Sequence, residues 1–339
     1  MLDDPSLWVF IIIILLALGF GVVNGLNDAA NAIATVIGTR TLSPRNAIIM
    51  AGFFNLAGAA TGTAVARTIG KGILIPEAIT FQTVIAALAA VIIWTTLATY
   101  RGIPVSLTHG FIAAMGAAGV AAAGTGAVNW GVMAKVASAV VSAPVLGFVG
   151  GFAFMILLMW LFRKSIPAKV RNIFSNLQII SAAFVAYSHG KNDGQMPMGI
   201  MVMALVLFNN DPGLWEHLSL FNADTWWIIL ISALSISFGT AIGGWRVIKT
   251  IGMRVTTLRP VHGFAAQTAA ASVIEMASHL GIPVSTTHCI STSVMGVGST
   301  RRLSAVRWGI AGNIMAAWVI TFPVCGGLGY LFSLLLGLF

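Results

Sequence analysis

The sequence predicts an all-α polytopic membrane protein built from two inverted-topology repeats, with broken helices or re-entrant hairpins at mid-membrane. Three observations carry this reading. Of 339 residues, 58% are hydrophobic and 8% charged, whereas a soluble globular domain carries about 25% charged residues. An eight-residue phrase occurs twice, GIPVSLTH at 102–109 and GIPVSTTH at 281–288, with seven of the eight letters shared. Basic residues gather at one set of segment ends, as they do on a cytoplasmic face.

Apolar segments long enough to span a bilayer run over 7–38, 47–66, 78–100, 103–123 and 130–162, and again over 173–208, 225–245, 262–280, 282–297 and 305–339. Five segments fall in each half. Residues 1–162 form the first repeat, 163–171 a basic, proline-containing cytoplasmic linker, and 172–339 the second repeat. The opening MLDDPS lacks the positive stretch and cleavage site of a signal peptide, so the first apolar run reads as a retained span. Segments longer than thirty residues leave room for a break or a surface helix.

If each segment crosses once, one face collects Arg40, Arg45, Arg101, Arg163, Lys164, Lys169, Arg171, Arg246, Lys249, Arg254, Arg259, Arg301, Arg302 and Arg307. The other collects Arg67 and Lys71 beside Asp3, Asp4, Glu77, Asp211, Glu216 and Asp224. This bias places both termini outside the cytoplasm, in a cell membrane. An odd number of crossings per half makes the second half enter from the opposite side, the plan of many secondary transporters. The net charge of +9 is therefore topological, and no nucleic-acid partner is expected, because the charges are too sparse for a basic binding face. Cys289 and Cys325 lie in apolar stretches and read as small core residues.

Two further repeats support the duplication. NGLNDAANA at 24–32 answers HGKNDGQMP at 189–197, aligning Asn27 and Asp28 with Asn192 and Asp193. RTIGKGI at 67–73 answers KTIGMRV at 249–255. The order is the same in both halves.

An ionisable residue at membrane depth marks a functional site. Asp28 and Asp193 are such residues, although a carboxylate capping a broken helix would also suit their Gly-Asn context. Equivalent places in inverted halves bring the two carboxylates together near a pseudo-two-fold axis. Asn27, Asn192, Asn31 and Gln195 stand near enough in sequence to add neutral oxygens, a set that suits Na⁺ or a proton, or a hard divalent ion shared with a substrate. In each phrase a Gly and a Pro precede Ser106 and Thr108, or Ser285, Thr286 and Thr287. That wording opens a helix whose first N–H groups are free for an anion. Two opposed N-termini of this kind would hold a tetrahedral oxyanion, with the hydroxyls assisting. His109, His189 and His288 are structural partners or proton relays. Glu275 is an acidic residue at apparent depth without a counterpart, and Lys191 could neutralise Asp193 or approach an anion.

With these residues in place, the chain resembles the inorganic phosphate transporter family. GLNDAANA at 25–32 matches its Gly-x-Asn-Asp-x-x-Asn-Ala signature, and both GIPVS phrases match its Gly-x-Pro-Val-Ser-x-Thr-His loops. The second signature departs from the pattern after Asp193, and Leu107 stands where Thr286 stands in the other copy. The resemblance implies a non-enzymatic, usually dimeric symporter importing inorganic phosphate with Na⁺ or H⁺ by alternating access, without a cofactor. It places phosphate at Ser106, Leu107 (through its backbone N–H), Thr108, Ser285, Thr286 and Thr287, and cations at Asn27, Asp28, Asn192 and Asp193. Asp28 and Asp193 are the metal ligands if the ion is Na⁺. The rivals are a sulfate or other oxyanion permease of the same fold and, remotely, an intramembrane aspartyl protease, which the absence of a GxGD context disfavours.

Overall fold

The computed structural model describes residues 5–338; Asp3 and Asp4, counted above on the sparsely basic side, lie outside them. The described chain is helical almost throughout. In the first half, α1 spans Pro5–Gly38, α2 Pro44–Ala59, α3 Ala64–Lys71, α4 Phe81–Arg101, α5 Leu107–Ala123 and α6 Trp130–Leu161. In the second, α7 spans Pro167–Asp193, α8 Gln195–Asn209, α9 Trp226–Ile242, α10 Trp245–Lys249, α11 Pro260–His279, α12 Thr286–Ser299 and α13 Trp308–Leu336. A π-helical turn, Thr250–Arg254, continues α10. Helix suits an apolar chain in hydrocarbon, because it pairs every backbone group within the segment.

Helix starts follow local chemistry. Pro44, Pro167 and Pro260 occupy first-turn positions where the missing N–H costs nothing. Lys169 and Arg171 consequently fall inside α7. Four helices, within α1, α4, α6 and α13, are each long and apolar enough to cross a bilayer, and the bent pairs α2–α3 and α9–α10 bring the number to six. The chain is thus a multi-pass membrane protein. Segments 47–66 and 225–245, expected as single spans, are instead bent by 71° and 64°. The second bend falls at Gly243, whose φ of +72° an L side chain would strain. The Asn-Asp signatures behave differently: α1 runs through Asp28 unbroken, while α7 stops at Asp193 and α8 resumes after Gly194.

The halves interlock. Helix α13 of the second half packs along α5 of the first, and α6 of the first packs along α12 of the second. Likewise α1 packs on α9 and α7 on α2. These crossings are close because glycine stands at the contact: a Cβ on Gly25 would lie 2.0 Å from the Ile236 carbonyl oxygen, and one on Gly190 2.1 Å from that of Asn55. Small residues at crossings are how apolar helices associate where lipid supplies no hydrophobic drive. Each half therefore completes its packing only with the other.

Candidate functional site

The site forms where the two broken spans meet. Helix α4 ends at Gly102 (φ +72°) and α11 is followed by Gly281 (φ +68°), each in the left-handed region that glycine adopts without steric cost. The chain then runs extended through Ile-Pro-Val before a new helix starts. Ser106 caps α5 by accepting from the His109 N–H at 3.2 Å, and Ser285 caps α12 by accepting from the His288 N–H at 3.2 Å. The first N–H groups of both helices lack intrahelical acceptors. Both helix ends are buried.

Two sets of cross-braces hold the phrases. Asn27 donates to Thr99 Oγ1 (2.8 Å) and accepts from the Val105 N–H (3.3 Å). Asn192 accepts from Ser278 Oγ (2.9 Å) and donates to the Val284 carbonyl (3.0 Å). Thr99 and Val105 occupy the places in the first half that Ser278 and Val284 occupy in the second. Each signature asparagine thereby fastens the phrase of its own half. The TIG repeats act across the halves: Thr68 on α3 donates to the Gly281 carbonyl (2.7 Å), and Thr250 donates to the Gly102 carbonyl (2.9 Å). This gives the repeat, and the bend that precedes it, a physical purpose.

At the centre the two carboxylates approach each other. His189 Nε2 lies 3.1 Å from Asp193 Oδ2 and 3.7 Å from Asp28 Oδ2, and ligand atoms of the three residues all fall within 4.8 Å of one another. Thr286 Oγ1 is 2.8 Å from Asp193 and 3.3 Å from Asp28; Thr287 donates to Asp28 at 2.8 Å and Thr108 to Asp193 at 3.5 Å. Asn31 donates to both Thr286 and Thr287 at 3.0 Å. All of these side chains are buried. The arrangement gathers two carboxylates, hydroxyl donors and two helix N-termini at one buried place.

Other expected residues stand apart from this centre. Gln195 Oε1 accepts from the Val65 and Ala66 N–H groups (2.8 and 3.2 Å), capping α3. Glu275 is ion-paired with Lys191, so Lys191 is engaged away from Asp193. His109 and His288 pack ring to ring, centroids 4.8 Å apart, each stacked on an aromatic of α13, Phe322 or Trp318.

Two further polar residues were not singled out from sequence. Asn55 on α2 accepts through Oδ1 from His189 Nδ1 at 2.7 Å and donates to Thr240 on α9 at 3.1 Å. Asn24, one turn before Asp28 on the same face of α1, is fully buried with neither amide atom hydrogen-bonded among the described residues. A lone asparagine inside an apolar run was the available signal for both.

The fold and this centre define a class, a multi-pass membrane protein with paired carboxylates and paired helix N-termini at the meeting of two duplicated halves. The chain belongs to the phosphate transporter family, whose model matches residues 24–329. It is 41% identical over 328 residues to a probable low-affinity inorganic phosphate transporter of Bacillus subtilis (strain 168), covering 96% of each chain. Its identity to one of Rhizobium meliloti (strain 1021) is 42% over 312 residues, covering 92% of this chain and 91% of the relative. A solved structure described as the sodium-dependent phosphate transporter superposes with a TM-score of 0.84 at 26% identity, covering 97% of this chain and 99% of that one.

Proposed function

We propose that the chain imports inorganic phosphate by symport, with Na⁺ as the coupling ion. The observation that carries this reading is the sharing of hydroxyls: Thr108, Thr286 and Thr287, which open the two helices, all donate to Asp28 or Asp193. A bare carboxylate pair keeps those donors and repels an anion. Cations at Asp28 and Asp193 neutralise the pair and free the hydroxyls to turn to phosphate, so cation and anion bind better together than alone.

The donor set fits Na⁺. Both aspartates offer oxygens, and the amide oxygens of Asn24 and Asn31 are buried without hydrogen-bond partners among the described residues. The signature residues Asn27 and Asn192 support the ion from the phrase side. Sodium dependence in the description of the superposed structure favours the same ion. Against an inside-negative potential of about 100 mV, a dianion costs roughly 4.6 kcal/mol to import, at ~2.3 kcal/mol per charge. Two monovalent cations cancel this.

Proton coupling is the second reading, and His189 favours it, because its Nε2 faces both carboxylates. Phosphate uptake into proteoliposomes under separately imposed Na⁺ and pH gradients decides between the two. Uptake that follows the pH gradient and ignores Na⁺ refutes the sodium reading. Sulfate discrimination follows from the carboxylates: phosphate near neutral pH still carries a P–OH donor that one of them can accept, and sulfate has none. Sulfate accumulation without phosphate accumulation would make the chain an oxyanion permease of another specificity.

The reading includes the orientation drawn from charge, both termini outside the cell membrane with the basic segment at 163–171 inside. It also includes a homodimer. Cysteine accessibility at Arg67 and Lys164, one on each face, tests the first.

A further inference from the structure

The duplication lets each residue of the site be compared with its counterpart, and the comparison exposes a lopsided centre. Thr287 donating to Asp28 mirrors Thr108 donating to Asp193. Ser106 and Ser285 cap their helices identically. The symmetry fails where His189, which faces both carboxylates, answers Asn24, unpartnered among the described residues, and at two adjoining places beside the helix ends. Thr286 reaches both carboxylates, but its counterpart Leu107 is an apolar side chain with 1% exposure. Asn31 donates to Thr286 and Thr287, but its counterpart Met196, fully buried, brings only a thioether to within 3.3 Å of the Thr108 hydroxyl. Leu107 and Met196 belong to one apolar cluster. One half thus lacks a hydroxyl and an amide that the other has, and Met196 touches Thr108, the neighbour of Leu107.

We propose that this corner admits a non-oxygen substituent on phosphorus, so that the site carries phosphite and methylphosphonate besides phosphate. The inference rests on the reading of the chain as a phosphate importer. A tetrahedral phosphate presents four polar corners. Three meet the hydroxyls of Thr108, Thr286 and Thr287 and the two helix ends. The Leu107 N–H still points along the axis of α5 and serves the oxygen at that helix end; its side chain, which the repeat symmetry puts where Thr286 stands in the other half, takes the remaining corner and cannot donate. An oxygen there loses hydrogen bonds it had in water, whereas a P–H or P–CH₃ group loses none. As monoanions, which are present near neutral pH, phosphite and methylphosphonate keep the P–OH that a carboxylate accepts. Sulfate offers neither the apolar corner nor the donor.

The test is inhibition and exchange in proteoliposomes holding the full chain, with radiolabelled phosphate as the reporter. Phosphite is expected to inhibit with a constant within about tenfold of the phosphate KM, and vesicles preloaded with phosphite should drive labelled phosphate inward by counterflow. Leu107→Thr, which supplies the hydroxyl that Thr286 has in the other half, should shift the phosphite-to-phosphate ratio at least about tenfold toward phosphate. Leu107→Met, which keeps the corner apolar, should leave that ratio in place. The proposal is overturned if phosphite inhibits more than tenfold more weakly than phosphate, if it inhibits without counterflow, or if Leu107→Thr folds and leaves the ratio unchanged. Should Leu107→Thr fail to fold, the wild-type inhibition and counterflow decide alone. If labelled phosphate itself is not taken up, the phosphate reading has failed and this proposal falls with it, a result distinct from phosphate uptake that phosphite ignores.

Discussion

Replacing Thr286 by valine tests the hydroxyl-sharing centre most directly. The two side chains are nearly the same size, so the change removes one hydroxyl without opening a cavity. That hydroxyl lies 2.8 Å from Asp193 and 3.3 Å from Asp28, and receives a hydrogen bond from Asn31 at 3.0 Å. Without it the carboxylates still have Thr287 and Thr108, and Asn31 still has Thr287, so folding should survive. A bound dianion, in contrast, loses a donor. A hydrogen bond to a charged group contributes about 1.5–3 kcal/mol, and 1.4 kcal/mol corresponds to tenfold. The phosphate KM should therefore rise roughly 10- to 150-fold, with a normal thermal transition of the purified protein. Initial rates of labelled uptake over a phosphate series at saturating Na⁺ measure it. A KM within twofold of wild type in folded protein would show that Thr286 serves the carboxylates alone.

Four further outcomes follow from the same geometry. Asp28→Asn and Asp193→Asn should each abolish gradient-driven accumulation while the protein remains folded; accumulation at the wild-type level in either variant removes that carboxylate from coupling. Thr68→Val and Thr250→Val should each destabilise by about 1 kcal/mol, one hydrogen bond apiece, and by similar amounts because each braces one phrase; a loss in one variant alone, read by thermal melting in detergent, contradicts the equivalence of the braces. Lys191→Met should destabilise by about 1–3 kcal/mol through a half-buried Glu275 left without its cation, and adding Glu275→Gln should recover most of the loss. No recovery would mean that Lys191 acts through packing. Gly190→Leu should leave little folded protein, since even a Cβ there meets the Asn55 carbonyl at 2.1 Å, and normal yield would refute the close crossing.

What was legible in the sequence was chemistry that acts locally or repeats. Gly102 and Ser106 announce a helix end and a helix start within five residues, and their copies at Gly281 and Ser285 repeat it, so the broken spans could be located without coordinates. The meeting of Asp28 with Asp193 was legible because duplication supplies a symmetry axis. Bends after Ala59 and at Gly243 were not, since both lie in runs apolar enough to continue as single spans. The purpose of TIG also escaped the sequence, because Thr68 and Thr250 bind carbonyls in the opposite half, a contact between residues more than 140 positions apart. Gln195 misled for a related reason: its place beside Asp193 in sequence suggested an ion ligand, and only the fold brings the start of α3 to its oxygen.

The interlocking of the halves bears on how the protein is made. As the first half leaves the ribosome, α1 carries Asp28 into a bilayer that contains neither α9 to cover Gly25 nor α12 to bond the carboxylate. A lone aspartate at bilayer centre costs about 2.5–3.5 kcal/mol on an insertion scale, which the apolar run that precedes it in α1 must offset. The first five segments must then wait, held by the insertion machinery or by a loose arrangement of their own, until α7 to α13 arrive and thread between them. Truncation after the first half should accordingly yield a chain that the cell degrades, and supplying the second half as a separate polypeptide should rescue it.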